Sequence, residues 1–233
     1  MSEPDPDEPA TRGGQTRAVI LDTALRLFEE QGYERTTMRA IAAEAGVSVG
    51  NAYYYFDSKE QLIQAFYDLN GERQVVASGP AMEGSRDLAV RLRSVLRTWV
   101  EINAGNHEFA GSFFKHAADP RSPLSPFSRE SVPAREAVTE IFRSVVAGSD
   151  VKVPPVLRAE LPNLLWLYQM GIVLFWVHDR SPGTAKTYEL IDRTVPLVVR
   201  AIGLARFRVM RGLLDDTLEL IASLSGNSLT GRA

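Results

Sequence analysis

Gly46-Val47-Ser48-Val49-Gly50-Asn51-Ala52-Tyr53-Tyr54-Tyr55-Phe56-Asp57-Ser58-Lys59-Glu60 is the stretch around which the chain is organised. It follows a short apolar segment, Met38 to Ala45, reverses at a glycine and enters a segment with three consecutive tyrosines. That pattern predicts a helix, a tight turn and a second helix. Gly46 ends the first helix, because the reversal calls for a backbone conformation that a residue with a Cβ resists. Ser48 is placed to cap the second. Val47, Ala52 and Phe56 share one side of it and can pack on Ile41 and Ala42. Ser48, Val49, Gly50, Asn51, Tyr53 and Tyr54 share the other. Hydroxyls, an amide and a bare glycine near a helix N-terminus suit close approach to a polyanionic groove. Successive helical residues lie about 100° apart, so the three tyrosines cannot all point inward. An outward phenol is expected to anchor phosphate. Lys59 follows Ser58, which with Gln61 predicts a capping box at the start of a further helix and puts a compact positive charge there.

Working outward, the agreement in order and spacing extends from about Gln15 to Gln74. Phe28-Glu29-Glu30-Gln31-Gly32-Tyr33 closes an amphipathic helix. Thr36-Thr37-Met38, Ile41-Ala42, Ala45-Gly46-Val47-Ser48, Gly50, Tyr53, Tyr55-Phe56, Ser58-Lys59-Glu60 and Leu62 follow. This set resembles the DNA-binding domain of the TetR family of bacterial repressors. The resemblance implies an all-α, dimeric transcriptional regulator whose partners are double-stranded operator DNA and a small-molecule effector. It implies that Thr37 and Arg39 lie against phosphate and that the last two helices of each subunit form a four-helix dimer interface. Val49 departs from the basic residue common at that position in the family and is a candidate contact to a thymine methyl. Asn51, Tyr53, Tyr54, Thr37 and Lys59 are expected to position the DNA backbone, and Gly50 to let the helix approach. The resemblance weakens past residue 75 and does not identify the effector.

The whole chain is not basic: 26 lysines and arginines face 29 carboxylates, a net charge of −3. Nucleic-acid binding would then rest on where the cations sit and on neutral donors, with a modest salt dependence. With no cysteine, disulfides and thiolate metal or redox chemistry are excluded. The N-terminus lacks an apolar signal core, and no apolar run reaches the roughly 20 residues of a membrane span. A cytoplasmic protein is expected.

The expected organisation is a disordered tail over 1–14, a DNA-binding domain over 15–75 with its helix-turn-helix at 38–57, and a ligand-binding and dimerisation domain over 76–225. A flexible tail over 226–233 closes it. Ser58 to about Ala77 reads as one long helix linking the two domains. Ser78 to Ser85, with two glycines and a proline, reads as a turn. Helical spacing then recurs at Leu88 to Ile102, Phe109 to Ala117, Ala134 to Val145, Leu161 to Val177, Tyr188 to Ile202 and Phe207 to Leu224. Between Leu164 and Val177 only Gln169 is strongly polar. A helix apolar nearly all round must be covered on more than one side, here by its own domain and by a partner subunit.

Pockets are mainly apolar with a few polar groups. The ligand-binding candidates are therefore Trp99, Asn103, Phe113, Phe114, Trp166, Tyr168, Gln169 and Phe175, and their scarcity of polar groups predicts a largely hydrophobic effector that releases the operator. No metal, catalytic residue or cofactor is expected. The competing readings are a ligand-independent regulator or an activator and, in a different class, a metal-dependent helical hydrolase using His178 and Asp179. His107, His116 and Asp119 are a further partial metal set, if two helices approach.

Overall fold

The structure is a computed structural model that describes residues 12–119 and 121–204. The expected helix at 207–224, the tail at 226–233 and most of the tail at 1–14 lie outside the described residues. Among these residues the chain is all helical, as its periodicity predicts: α1 (Arg12–Gln31), α2 (Met38–Glu44), α3 (Val49–Tyr55), α4 (Lys59–Glu83), α5 (Leu88–Asn103), α6 (His107–Ala117), α7 (Val132–Ala147), α8 (Pro155–His178) and α9 (Ala185–Leu204).

Helix boundaries follow local chemistry. Gly32 and Gly46 take φ of +87° and +68°, the left-handed region where a Cβ is costly, and they stop α1 and α2. Thr37 caps α2 by accepting from Ala40 N, and Ser48 caps α3 by accepting from Asn51 N at 3.1 Å. At α4 the box is only half as expected. Ser58 Oγ accepts from Gln61 N, but the Gln61 side chain reaches back one residue further and accepts from Asp57 N at 2.9 Å. Asp87 caps α5, and Pro155 opens α8 at a position where its missing N–H costs nothing.

The first core gathers Ile20, Ala24 and Phe28 of α1, Ile41 and Ala42 of α2, Ala52 of α3 with Phe56, and Leu62, Ile63 and Phe66 of α4. It is completed from the C-terminal half by Phe109 and Phe113 of α6 and by Leu124. The loop carrying Leu124 is pinned to α4, since Gln64 Nε2 donates to Pro123 O at 2.7 Å and Tyr67 Oη to Leu124 O at 3.2 Å. The second core joins α5, α7, α8 and α9 through Leu92, Leu96, Phe142, Leu165, Trp176, Ile191 and Val195.

One expectation is corrected. Ser78–Ser85 is not a turn throughout: α4 runs on through Gly79 and Pro80 to Glu83, and only Gly84 and Ser85 lie beyond it. Ser78 is fully buried, so packing holds the helix past its breakers. The bond that Pro80 cannot make would go to the carbonyl of Val76, a residue 77% exposed, where water can replace it. α4 is therefore one rod from the edge of α3 into the second core.

Arg91 is a structural element the periodicity hides. Its buried guanidinium donates to Val145 O, Ser144 O, Ser85 O and Met82 O, closing the ends of α4 and α7 against α5. Four main-chain acceptors satisfy a cation that could not otherwise be buried.

Among the described residues the apolar α8 is covered on one side only. Leu167, Leu174 and Phe175, with Leu197 and Leu204 of α9, remain between 40% (Phe175) and 58% (Leu197) exposed.

Candidate nucleic-acid interface

α3 is held from below and bare above. Ala52 and Phe56 are buried, and the Arg17 guanidinium sits 4.8 Å from the Phe56 ring centroid. On the outer side Ser48, Val49 and Gly50 are exposed, Tyr53 is 47% and Tyr54 80% exposed, and Asn51 is partly so. Of the three tyrosines, Tyr55 turns toward the core and meets the Tyr54 ring edge-on at 5.1 Å. A Cβ added at Gly50 would meet no atom of the described residues within 4 Å, so the packing of these residues does not call for a glycine there.

Thr37, Tyr53, Ser58 and Lys59 surround one open cleft of about 340 Å³ at the start of α4. Arg39 is exposed in the first turn of α2. The cations are less free than their number implies. Lys59 Nζ donates to Tyr33 O at 2.6 Å and stands 4.2 Å over the Tyr33 ring. Arg26 is paired with Glu30 and Glu44, and Arg35 Nε donates to Gln31 O. Lys59 thus sits lower, against Tyr33, than a charge held out at a helix start.

Beside it Tyr33 Oη donates to Glu60 Oε1 at 3.0 Å. Burial, then the charge of Glu60, pushes the Tyr33 phenol above its ordinary range. Burial works to raise the Glu60 carboxyl, but its own N–H, the Ser58 and Tyr33 hydroxyls and Lys59 outweigh it and hold the group low. His116 of α6 lies 3.4 Å from Glu34 across an open cleft of about 390 Å³ that Tyr33, Lys59 and Asp119 also line. Tyr33 and Leu124 of its lining belong to the first core, so the cleft opens at that core's edge.

The interior candidates do not converge on one site. Phe113 belongs to the first core, stacked on Phe109 and edge-on to Tyr33. Phe175 faces outward on α8. Trp166 packs edge-on against Phe127 with Arg135 over its ring, and Tyr168 Oη bonds Thr194 Oγ1 at 2.5 Å. Only Trp99, Asn103 and Gln169, with Phe114 at their edge against His178, stay near a common interior.

The partial metal sets come apart as well. Asp179 is a buried cap whose oxygens accept from Ser181 N, Ser181 Oγ, Thr187 N and Thr187 Oγ1. Burial raises its carboxyl, but those four donors outweigh it and hold it down to about 2. His178 Nδ1 lies 2.9 Å from Leu174 O, and His107 Nε2 lies 2.7 Å from Trp176 O. Among the described residues no three His, Cys, Asp or Glu side chains group to hold a metal ion. No described helix is long and apolar enough to cross a membrane.

Two family models settle the kinship. Residues 20–66 match that of the bacterial regulatory proteins of the tetR family, and residues 91–220 match the tetracyclin repressor-like C-terminal domain. The chain belongs to the TetR family. Among curated TetR relatives, the HTH-type transcriptional repressor KstR2 of Rhodococcus jostii is 40% identical over 85 residues, 34% of this chain and 41% of that one. The HTH-type transcriptional regulator UidR of Escherichia coli is 32% identical over 90 residues, 39% of this chain and 46% of that one. The matches thus span less than half the length of these relatives. Among solved structures, a TetR regulator from Nitrosomonas europaea is 19% identical with a TM-score of 0.62, over 78% of this chain and 97% of that one. FadR of Thermus thermophilus, solved with lauroyl-CoA, is 21% identical with a TM-score of 0.53, over 77% and 92%. At such identities these two attest the TetR fold alone.

Proposed function

We propose that this protein is a transcriptional repressor that binds operator DNA as a homodimer and leaves it when a small, largely hydrophobic effector enters the second core. The observation that carries the reading is the outer side of α3. A helix seven residues long keeps Ser48, Val49, Gly50, Tyr53 and Tyr54 exposed while its inner side is packed tight. The recognition helix enters the major groove, one per half-site of a near-palindromic operator. Val49 reads a thymine methyl there, Tyr54 and Tyr53 donate to phosphates, and Thr37, Arg39 and Asn51 hold the flanking backbone. Lys59 adds charge from the rim.

The DNA-binding domain ends within the continuous α4, near residue 75, and the effector-binding and dimerisation domain takes over from there. The exposed leucines and Phe175 of α8 and α9 form the dimer face, which needs a second apolar surface to cover it. Two elements carry the effector's signal. α4 is a rod shared by both cores, and α6 sends Phe109 and Phe113 into the first core and Phe114 against the second. A coupling of about 1–3 kcal/mol through them weakens DNA binding about 5- to 150-fold.

The test is binding of the purified full-length protein to the duplex upstream of its own gene and to a randomised duplex pool, with nonspecific competitor present. Saturable binding that survives competitor and enriches one near-palindromic sequence supports the proposal. Binding that competitor removes equally from every sequence contradicts it.

A further inference from the structure

A polar stripe runs through the second core along one side of α4. Asn70, Gln74 and Ser78 follow at four-residue spacing, so each lies one turn above the last. Gln74 is 1% and Ser78 0% exposed. Gln74 Nε2 donates to Gln169 Oε1 of α8 at 3.3 Å, and Asn70 Nδ2 donates to Asn103 Oδ1 of α5 at 2.9 Å. Asn103, itself buried, donates on to Trp99 O. The Trp99 ring meets Trp176 edge-on at 5.1 Å, and Trp176 meets His107 at 4.7 Å.

Three buried polar atoms of this neighbourhood have no hydrogen-bond partner among the described residues: Asn70 Oδ1, Ser78 Oγ and Trp176 Nε1. Native interiors leave few such atoms, because each forfeits its hydration. One is an acceptor, one a donor and one can be either. The buried cation of the same core, Arg91, is already held by four carbonyls, and among the described residues no charged side chain hydrogen-bonds to Asn70, Gln74 or Ser78.

We propose that this stripe is the effector's recognition site and that the effector is an uncharged, largely apolar molecule bearing a hydroxyl. The proposal rests on reading the C-terminal half as an effector-binding domain. The hydroxyl donates to Asn70 Oδ1 and accepts from Trp176 Nε1, and the apolar body lies along Trp99 and the Gln74–Gln169 pair. A hydroxyl is the smallest group able to satisfy both orphans. A carboxylate or phosphate only accepts, so it leaves Asn70 Oδ1 facing a negative group and is desolvated with no cation hydrogen-bonded to the stripe among the described residues. A bare hydrocarbon leaves both atoms unmet. The site is also wired to the first core, because the main-chain carbonyl of Trp176 holds His107 of α6, two residues before Phe109.

The test uses the full-length protein and matched probes on the frames of cyclohexane, naphthalene, phenanthrene and dodecane, each as hydrocarbon, alcohol and carboxylate. Calorimetry and thermal shift read binding. At least one alcohol is expected to bind about 2- to 10-fold tighter than its own hydrocarbon, the net worth of one buried neutral hydrogen bond, and tighter than its carboxylate. Trp176→Phe removes the N–H and also shortens the ring, so the readout is the ratio of alcohol to hydrocarbon affinity on each frame, which should fall to about one. Ser78→Ala should leave the unliganded Tm unchanged or raise it. No alcohol binding across the panel, a carboxylate that binds tightest, or an advantage that survives Trp176→Phe each overturns the proposal. DNA binding of the same unliganded samples separates the two readings. A protein that binds DNA and no alcohol sinks this inference alone, and one that binds an alcohol and no DNA sinks the repressor reading alone.

Discussion

Gly148→Ala should destabilise the protein far more than its backbone suggests. Gly148 follows α7 at φ −80°, ψ −2°, a conformation open to any residue, so from dihedrals alone alanine would be neutral or better. The neighbour decides otherwise: a Cβ there would lie 2.3 Å from Arg91 Nη2 and 2.6 Å from its Cζ. Restoring ordinary contact requires the guanidinium to retreat by roughly 1 Å, and a hydrogen bond stretched that far is lost. The bond from Nη2 to Ser144 O, now 2.9 Å, goes first. Hydrogen bonds from a charged donor are worth about 1.5–3 kcal/mol each, so losing one and straining a second costs about 2–4 kcal/mol. For a chain of this size that lowers Tm by roughly 4–16 °C. Thermal and urea unfolding at one fixed protein concentration would measure it. An Arg91→Ala background isolates the cause: there Gly148→Ala should cost close to nothing, a strong departure from additivity. A full cost in that background, or a neutral Gly148→Ala in the wild type, would refute the pinned-guanidinium account.

Other expectations follow from the same geometry. Tyr54→Phe, which removes only the exposed hydroxyl, should weaken binding to all duplexes alike, whereas Val49→Ala should change which sequence is preferred; a change of preference in Tyr54→Phe would reverse the two roles. If Arg39 and Lys59 are the cations of each subunit that touch phosphate, a dimer neutralises about four phosphates, so log K against log salt should fall with a slope of about −4; a slope twice as steep would mean that further cations, such as the exposed Arg12 and Arg17, also touch phosphate. Asp179 has a depressed folded value of about 2, so the stability it contributes is present above its unfolded value near 4 and is lost as pH falls from there toward 2; Asp179→Asn should flatten that limb of the pH–stability curve, and an unchanged limb would mean the cap is energetically idle. Leu174→Arg on the exposed side of α8 should convert the dimer to monomer in sedimentation, and an unchanged mass would place the dimer face elsewhere.

Much of the fold is legible in the sequence because its punctuation is chemical. Gly32 and Gly46 sit where the backbone needs positive φ, Ser48 and Thr37 where helix N–H groups need acceptors, and the apolar spacing marks each buried side. What was not legible depends on partners distant in the chain. Ser78-Gly79-Pro80 has the composition of a turn, and only packing on other helices makes it the end of α4. Arg91 looks like one more surface arginine until the ends of α4 and α7 close over it. Aromatic spacing could not assign Phe113 to the first core or Phe175 to the outside, because both lie on helices that contact two surfaces. The polar stripe did leave a signal: Asn70, Gln74 and Ser78 recur every fourth residue on a helix otherwise packed by apolar side chains. Its meaning emerges only with Asn103, Gln169 and Trp176 facing it.

The central claim, that α3 reads the major groove of an operator, is tested most directly by methylation interference at guanine N7 on the duplex selected from a randomised pool. N7 lies in the major groove, and the account predicts interference in two symmetric patches whose centres are one helical turn of DNA, or a multiple of it, apart, with both patches lost in Gly50→Leu, which buries the approach under a side chain. Interference absent at every guanine of a specifically bound duplex, or patches that persist unchanged in Gly50→Leu, would contradict it.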